Sequence, residues 1–232
     1  MLIGITGHKF AGKSTVANML SQMLGYETCS FADKLKDVTC ILSGCTREQL
    51  EDYDFKENEL VPDYLRPYCL NAEKPTYRAF LQYFGSEVMR GVNDNIWIDC
   101  TLSKCGENAI ISDVRFPNEA KAIRDRGGII VKVVRDGVVS KDTHSSEKNV
   151  ENIAGNIIVF NNGSLEHLKA MVEAVDKVEG IIIPLRIVYF FCLDLLSIDY
   201  GNNVRIFCEV CQDSINLDLT IVEESEIVDE KC

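Results

Sequence analysis

The sequence predicts an α/β fold in which helices flank a five-stranded parallel sheet. Short apolar runs alternate with stretches of helical periodicity from residue 1 to about residue 180, which is typical of parallel strands joined by crossover helices. The first apolar run, "MLIGIT", leads through a glycine-flanked loop directly into an amphipathic helix. Apolar residues make up 46% of the 232 positions, enough for the core of such a sheet. We therefore expect one α/β domain over residues 1–180 and an extension over residues 181–232.

Each predicted strand is an apolar run bounded by polar or turn-forming residues. The five runs cover residues 1–6, 26–31, 108–113, 126–135 and 155–162. Residues 33–100, between the second and third runs, are polar and mostly helical in pattern, with one clear helix over 76–90. We therefore expect this segment to form a helical insert in the sheet domain.

Helical periodicity also predicts which side chains face the sheet. Ser164 should cap the last helix, and Pro117 has the fixed φ that suits a first helical position. The first helix has its apolar stripe at Val16, Met19, Leu20, Met23 and Leu24. The last helix has its inner face at Leu165, Leu168, Val172 and Val175.

The loop after the first strand, "GHKFAGKST" over residues 7–15, fits the pattern G-x-x-x-x-G-K-[ST]. The glycines let backbone N–H groups turn around an anion, and the N-terminus of the following helix adds its positive end. Lys13 supplies a charge for the outer phosphates, and Ser14 a hydroxyl for Mg²⁺. A chance glycine turn is the alternative, but the strand before the loop and the helix after it favour a phosphate-binding loop. The predicted ATP site comprises Gly7, Lys9, Ala11, Gly12, Lys13, Ser14 and Thr15.

Asp113 ends the third strand and so lies at the carboxyl edge of the sheet, where ligands of open α/β sheets bind. Its carboxylate could hold the water shell of the metal opposite Ser14, or accept a proton from the acceptor substrate. The alternative is a helix-capping aspartate. Arg115, two residues further on, suits bidentate phosphate binding, and it favours the functional interpretation.

The insert offers a further set of polar side chains. Arg78 and Gln82 lie one helical turn apart and could contact a phosphate and a base edge, although a solvated polar face is the simpler interpretation. Asp33 and Lys34 follow the second strand and should also lie at the ligand edge of the sheet. The predicted acceptor site comprises Asp33, Lys34, Arg78, Gln82, Arg90, Trp97 and Arg115.

Charge and composition exclude some classes of function. A net charge of −12 and a pI of about 4.8 argue against a nucleic-acid surface, which needs a basic face. The most apolar run, residues 181–198, contains Pro184, Arg186 and Asp194, so we expect buried strands there and no membrane span. Ten cysteines without framework spacing favour a reduced, cytoplasmic setting. His144 has no clustered partners and is expected to be a loop histidine.

The extension over residues 181–232 has its own pattern. "NVRIFCEV" and "INLDLTIV" alternate apolar and polar residues, as strands with one solvated face do. We expect a small β appendage outside the active site and a candidate surface for a homodimer. The close spacing of Cys208 and Cys211 suggests an alternative, a zinc site completed by the remote Cys192 and Cys232. No second close cysteine pair supports this alternative.

Several motifs together resemble the deoxynucleoside monophosphate kinases of bacteriophages and large DNA viruses. They are "SFADKLK", "RAFLQYFGSEVMR", "DNIWID", "ISDVRFPNEAKAIRDRGGIIVKVVR", "HSSE" and "NNGSLEHL". The resemblance covers residues 1 to about 175 and implies a P-loop NTPase-type kinase with a monophosphate-binding insert at about 33–100 and a lid at about 136–156. It implies Arg78 and Arg115 on the acceptor phosphate and Arg135 near the donor. It also implies Asn162 and Gly163 beside the donor base, with Asp33 and Asp113 near the reacting oxygens.

The expected function is therefore ATP- and Mg²⁺-dependent phosphorylation of (deoxy)nucleoside monophosphates to diphosphates, for DNA precursor synthesis. The expected catalytic residues are Lys13, Asp33, Asp113 and Arg115, with Ser14 and Asp113 on the metal. Two alternatives stay open. Another small-molecule P-loop kinase, such as a dephospho-coenzyme-A kinase, would share the loop and the sheet. A regulatory nucleotide-binding module would share the loop, although the sequence has no N-K-x-D-like guanine motif.

Overall fold

A computed structural model describes residues 1–70, 72–138, 148–178, 188–189, 203–207 and 214–218 of the chain. The chain separates into two compact units, Met1–Tyr189 and Phe190–Cys232. The boundary is close to the one predicted near residue 180. The first unit contains the sheet, the phosphate-binding loop and the insert, and it is the unit in which we locate the functional site.

The first unit is built on a parallel sheet with the strand order β2-β3-β1-β4-β5-β6. All its strand pairs are parallel, and β1 is buried along its whole length, as expected for a central strand covered on both faces. The five predicted strands are therefore confirmed, and a two-residue edge strand, β6, extends the sheet. The strands are β1 Leu2–Thr6, β2 Glu27–Cys29, β3 Ala109–Val114, β4 Ile129–Val134, β5 Ile157–Phe160 and β6 Val188–Tyr189.

Helices connect the strands, and several short ones form the insert, as the sequence predicted. The helices between sheet strands are α1 Lys13–Leu24, α8 Pro117–Arg124 and α9 Leu165–Val178. The α-helices of the insert are α2 Asp33–Ser43, α3 Arg47–Glu51, α4 Tyr53–Asn58, α5 Tyr77–Gln82, α6 Arg90–Val92 and α7 Ile96–Leu102. Asp63–Tyr68 and Asn149–Asn152 are 3₁₀ helices, and Tyr83–Met89 is π-helical.

Of the predicted inward-facing helix residues whose side chains the structure describes, four are buried, two are half-buried and two are exposed. The half-buried residues are Met19 and Leu24. Val16, Leu20, Leu168 and Val172 are at most 2% exposed. Leu165 is 61% exposed because, as the first residue of α9, it covers the turn before the helix and not the sheet. The prediction for Leu165 was therefore wrong, and that for Met23, which is 36% exposed, was wrong as well. The side chain of Val175 lies outside the described residues.

The ends of the helices follow local sequence rules. Pro117 occupies the first helical position of α8, as predicted. Ser164 Oγ accepts a hydrogen bond from His167 N at 3.2 Å, which confirms it as the cap of α9. Thr76 caps α5 in the same way, through Ala79 N. These residues determine where α5, α8 and α9 begin.

The second unit contains an antiparallel pair, β7 Asn203–Phe207 and β8 Ser214–Asp218. β7 lies inside the predicted segment 203–210, and β8 begins one residue before the predicted segment 215–222. The four cysteines of the zinc alternative lie outside the described residues, as does His144. None of the helices in the described part of the chain is both long and apolar enough to cross a membrane.

Candidate active site

Two glycines give the loop between β1 and α1 its shape. Gly7 has a φ of 147° and Gly12 a φ of 101°, backbone conformations that L side chains rarely adopt. Space excludes a side chain as well, because a Cβ at Gly7 would lie 2.4 Å from the carbonyl oxygen of Val133 and one at Gly12 2.3 Å from Asn161 Nδ2. Asn161 Nδ2 also donates to the carbonyl oxygen of Ala11 at 2.9 Å. The end of β5 therefore fixes the loop, through a residue that sequence reasoning did not select.

Lys13 lies over the backbone of the same loop. Its Nζ donates to the carbonyl oxygens of Gly7 and His8, both at 2.8 Å. Lys13 and Ser14, the first two residues of α1, both line the main cavity of the unit. The positive end of α1 and the ammonium group of Lys13 are therefore presented together to an anion.

The main cavity has a volume of about 560 Å³ and lies along the carboxyl ends of β2 and β3. Residues of the phosphate-binding loop form one side, and residues of the insert form the other. Seven of its lining side chains are Lys or Arg and four are Asp or Glu, although the whole chain has a net charge of −12. A local excess of cations at this edge of the sheet suits a ligand with several negative charges.

Asp113 lies at this edge, where it holds the start of α2. Its Oδ1 accepts from Phe31 N at 2.7 Å, and its Oδ2 accepts from Ala32 N at 3.0 Å and from Ser30 Oγ at 2.7 Å. Asp113 therefore holds the residues that precede α2, which come from a distant part of the chain. A carboxylate has about four acceptor positions, so these three bonds leave room for a water molecule of a metal shell.

Asp33, the first residue of α2, is also held by hydrogen bonds. Its Oδ2 accepts from Ser30 N at 2.9 Å, and its Oδ1 accepts from Arg47 Nη2 at 2.5 Å. Arg47 further pairs with Asp37 and Glu51. Asp33 lines the cavity and is held in place by its hydrogen bond from Arg47.

Cations of the insert line the opposite wall. Arg78 Nε donates to Glu57 Oε1 at 3.0 Å, and Lys36 Nζ donates to Glu51 Oε1 at 2.7 Å. Burial lowers the pKa of Lys56, and the nearby charges of Arg78 and Lys36 lower it further. Lys36, Lys56 and Arg78 therefore form one cationic cluster. The sequence selected only Arg78 of the three, because no local pattern marks Lys36 or Lys56.

Glu119 and Arg90 form the part of the wall next to α8. Glu119 is 3% exposed, and burial raises its pKa to about 7, although the backbone N–H groups of Arg115 and Phe116 donate to it. Arg90 Nη1 donates to Glu119 Oε1 at 3.3 Å, and its guanidinium carbon lies 3.8 Å from the centre of the Phe116 ring. Glu119 thus orients both the loop after β3 and Arg90.

The sequence of the chain is similar to that of known proteins. Residues 49–172 match the family described as deoxynucleotide monophosphate kinase. A protein of Acanthamoeba polyphaga mimivirus, provisionally named a deoxynucleotide monophosphate kinase, is 34% identical over 195 residues, which are 76% of this chain and 97% of that protein. The chain belongs to the deoxynucleotide monophosphate kinase family. The family resemblance predicted from the motifs is confirmed.

Two further similarities are more distant. The deoxynucleoside-5′-monophosphate kinase of Escherichia phage T5 is 26% identical over 212 residues, 65% of this chain and 85% of that protein. Shikimate kinase from Aquifex aeolicus VF5 superimposes with a TM-score of 0.43 at 14% sequence identity, over 78% of this chain and 99% of that chain. A TM-score of that size is too low to argue from.

In this family member, the structure brings most of the predicted acceptor residues to the main cavity. Arg78, Gln82, Arg90 and Arg115 line it together with Asp33. Trp97 also lines it, but it is 6% exposed, and its Nε1 donates to the carbonyl oxygen of Gly85 at 2.9 Å, so it supports the wall of the cavity. Lys34 is not among the lining residues and pairs with Asp37 at 2.7 Å.

The residues predicted beside the donor base lie at the ends of β4 and β5, on the other side of β1 from the cavity. Arg135, Asn162 and Gly163 are exposed there. Asn162 pairs with Asp136 through two hydrogen bonds of 2.8 Å, one from its Nδ2 and one to its Oδ1. This pair ties the loop after β5 to the loop after β4. Residues 139–147 of the predicted lid, including Lys141, lie outside the described residues.

The side chains at the loop fit a magnesium ion. The hydroxyl of Ser14 and the carboxylate of Asp113 line the same cavity, and both present the hard oxygen ligands that Mg²⁺ prefers. Mg²⁺ is usually bound through one or two such side chains, water and substrate phosphates. The donor set of this site therefore matches Mg²⁺ in chemistry and in number.

Proposed function

We propose that this protein transfers the γ-phosphoryl group of ATP to a deoxynucleoside monophosphate and releases ADP and a deoxynucleoside diphosphate. The observation that carries the proposal is the cavity itself, which joins the phosphate-binding loop to a separate cluster of cations on the insert. A monophosphate kinase must place a dianionic acceptor next to the anionic chain of the donor. Two cationic walls facing each other across one cavity meet that requirement.

The strand order supports an assignment of the two nucleotides to opposite sides of the loop. The loop follows β1, which lies between β3 on one side and β4 on the other. The donor phosphates lie on the loop, and the donor base lies beyond the ends of β4 and β5, near Asn162 and Gly163. The acceptor lies beyond the ends of β2 and β3, where the cavity is. The reacting groups then meet in front of Lys13.

Lys13 and the N-terminus of α1 neutralise the outer phosphates of the donor. Their effect is largest in the transition state, where negative charge accumulates on the transferring group and the leaving oxygen. Arg135 contacts the donor from the end of β4. Ser14 and Asp113 would hold Mg²⁺, which would supply further charge neutralisation.

Arg115 and the cluster of Lys36, Lys56 and Arg78 bind the acceptor phosphate. One of its oxygens attacks the γ-phosphorus atom, and the bond from that atom to the β–γ bridging oxygen breaks. The acceptor phosphate is already ionised near neutral pH, with a second pKa of about 6 for phosphate monoesters. The protein therefore has to align and neutralise the reacting groups, while proton removal contributes little.

The domain roles follow from this assignment. Residues 33–100 are the acceptor-binding insert and residues 136–156 the lid that excludes water on closure. We assign the protein to the host cytoplasm, by analogy with its viral relatives, and residues 181–232 to self-association in a homodimer. No nucleic acid is required for the activity.

A turnover assay with a panel of acceptors tests the proposal. ATP and Mg²⁺ are held constant, and the four deoxynucleoside monophosphates, their ribose counterparts and dephospho-coenzyme A are compared by ADP release and product chromatography. A Lys13→Ala preparation serves as the control for contaminating kinases. Phosphorylation of dephospho-coenzyme A alone would replace the proposal with the other enzyme function. ATP binding with no turnover on any acceptor would favour a regulatory module.

A further inference from the structure

Helix α4 presents two side chains to the phosphate-binding loop. Tyr53 and Glu57 are four positions apart and so lie on one face of the helix. The Tyr53 ring meets the ring of Phe10 edge to face, with centroids 5.7 Å apart, and Glu57 Oε1 accepts from Lys9 Nζ at 2.7 Å. Lys9 Nζ also lies over both rings, 4.8 Å from the centre of Tyr53 and 5.3 Å from that of Phe10. One face of α4 thus holds two consecutive residues of the loop.

The loop adopts an unusual backbone conformation at this point. Phe10 has a φ of 68° and is the only residue other than glycine with a positive φ in the described part of the chain. The left-handed region is unfavourable for a bulky residue and persists where surrounding contacts enforce it. The Phe10 side chain is 63% exposed, so burial contributes little to that enforcement. Its contacts with Tyr53 and Lys9 are therefore important for the shape of the loop.

The insert side of this contact is fixed by the backbone. Glu59 O accepts from Tyr77 N at 3.2 Å, and Val61 N donates to Pro75 O at 2.9 Å. These bonds join the end of α4 to the start of α5, so Glu57 and Arg78 keep their relative positions. The loop, by contrast, is bounded by Gly7 and Gly12. Between these two glycines, α4 supplies side-chain contacts to Lys9 and Phe10.

The Glu57 carboxylate also connects the two sides of the cavity. The same oxygen, Oε1, accepts from Lys9 on the loop and from Arg78 on the insert. Lys9 and Arg78 both line the cavity, and without an anion between them their charges would repel. One carboxylate thus holds a cation of the donor side beside a cation of the acceptor side.

We infer that Tyr53 and Glu57 are positioning residues that set the conformation of the phosphate-binding loop through Phe10 and Lys9 and align it with Arg78. Neither residue needs to touch a nucleotide for this role. The inference rests on the proposed function for the identity of the acceptor, but the effect on the loop itself concerns ATP alone. In the alternative role, the Glu57 carboxylate is an internal anion that occupies the place of a substrate phosphate, and the substrate displaces this carboxylate when it binds.

The test compares Glu57→Gln and Tyr53→Leu with Asp54→Asn, which removes one charge from the same helix and serves as the matched control. We expect Glu57→Gln to lower kcat by about tenfold, because small misalignments of reacting groups have large effects on rate, and to weaken ATP binding severalfold. Tyr53→Leu leaves all charges in place and should also weaken ATP binding. Asp54→Asn should match the wild type. Circular dichroism and melting temperatures identify any variant that fails to fold.

A double-mutant cycle separates this role from a general structural one. If Glu57 acts through Lys9, adding Glu57→Gln to Lys9→Ala should change the affinity for ATP by less than twofold, although Glu57→Gln alone weakens it severalfold. Additive effects would overturn the inference, as would unchanged ATP binding in both Glu57→Gln and Tyr53→Leu. A lower acceptor KM in Glu57→Gln would favour the internal anion instead. ATP binding is measured by calorimetry, so this arm stays decisive even if no monophosphate is phosphorylated.

Discussion

The phosphate-binding loop and the insert both present cations to one cavity, but they hold these cations in different ways. Lys13 on the loop is held by carbonyl oxygens five and six residues before it in the chain. Lys36 on the insert is held by Glu51, 15 residues away, and Arg90 by Glu119, 29 residues away. Lys13 is thus held by local backbone, and Lys36 and Arg90 by carboxylates brought in by the fold.

This difference has consequences for pH dependence and for specificity. Carbonyl oxygens do not titrate, so the two hydrogen bonds that hold Lys13 do not depend on pH. Carboxylates titrate, and a substitution in the insert can remove the carboxylate that holds a given cation. We therefore expect the acceptor side to respond to pH and to mutation in a graded way. Loss of the donor-side charge should abolish most of the activity in one step.

The largest effect is expected for Lys13→Ala. Loss of a charge that acts mainly in the transition state should lower kcat on the order of a hundredfold or more, while the melting temperature stays close to that of the wild type. Saturating ATP and acceptor are used, so that kcat and not affinity is compared. Wild-type turnover in this variant would show that the loop does not carry the charge required for catalysis.

The next largest effect concerns stability and pH at Glu119. Its folded pKa of about 7 lies above the usual value of 4.5, so the folded state binds more protons than the unfolded state between these values. The free energy of unfolding should therefore fall as the pH rises from about 4.5 to about 7 and then level off. The size of this pKa shift sets an upper limit on the order of 3 kcal/mol to the contribution of Glu119 to the free energy of unfolding.

Glu119→Gln tests this contribution, because an amide oxygen can still accept from the N–H groups of Arg115 and Phe116. The difference in unfolding free energy between wild type and variant, from denaturant curves at pH 5, 6 and 7, should change steadily over this range. Taking the difference between the two proteins removes every contribution that they share. A constant difference would mean that Glu119 does not titrate in this window.

A smaller effect is expected for Arg115→Ala, which should raise the acceptor KM about tenfold and lower kcat, while ATP binding changes little. Lys34→Ala is the matched control, because it removes a cation that pairs with Asp37 and does not line the cavity. Equal effects of the two variants on the acceptor KM would contradict the assignment of Arg115 to the acceptor phosphate.

The smallest effect is expected for Lys56→Gln. One of several clustered cations is lost while its aliphatic stem is largely kept, so the acceptor KM should be about threefold above the wild-type value at low salt. Salt screens the remaining attraction in both proteins, so the ratio of the two KM values should fall toward one at high salt. Initial rates at two ionic strengths measure this. If the ATP KM rises and the acceptor KM does not, Lys56 belongs to the donor side.

The order of the strands along the chain, the starts of α1, α8 and α9 and the phosphate-binding loop were predictable from sequence. These features depend on periodicity and on glycine positions, which are local properties of the chain. Asn161 was not predicted, although its neighbour Asn162 was named for the donor base. The sequence does not show which of these two adjacent side chains reaches the carbonyl oxygen of Ala11. Leu165 was misplaced because periodicity does not locate the end of a helix relative to a sheet.

The chain by itself determined the sheet, the loop and the presence of a polar, helical insert. Only the tertiary structure decided which charges of that insert face the cavity. Lys34 and Lys36 are both on α2, but the first pairs with Asp37 and the second lines the cavity beside Glu51. Residues two apart on a helix point to different sides, and the side that faces the cavity depends on how α2 packs against α3 and α7. That packing involves residues far apart in the sequence, so no local pattern records it.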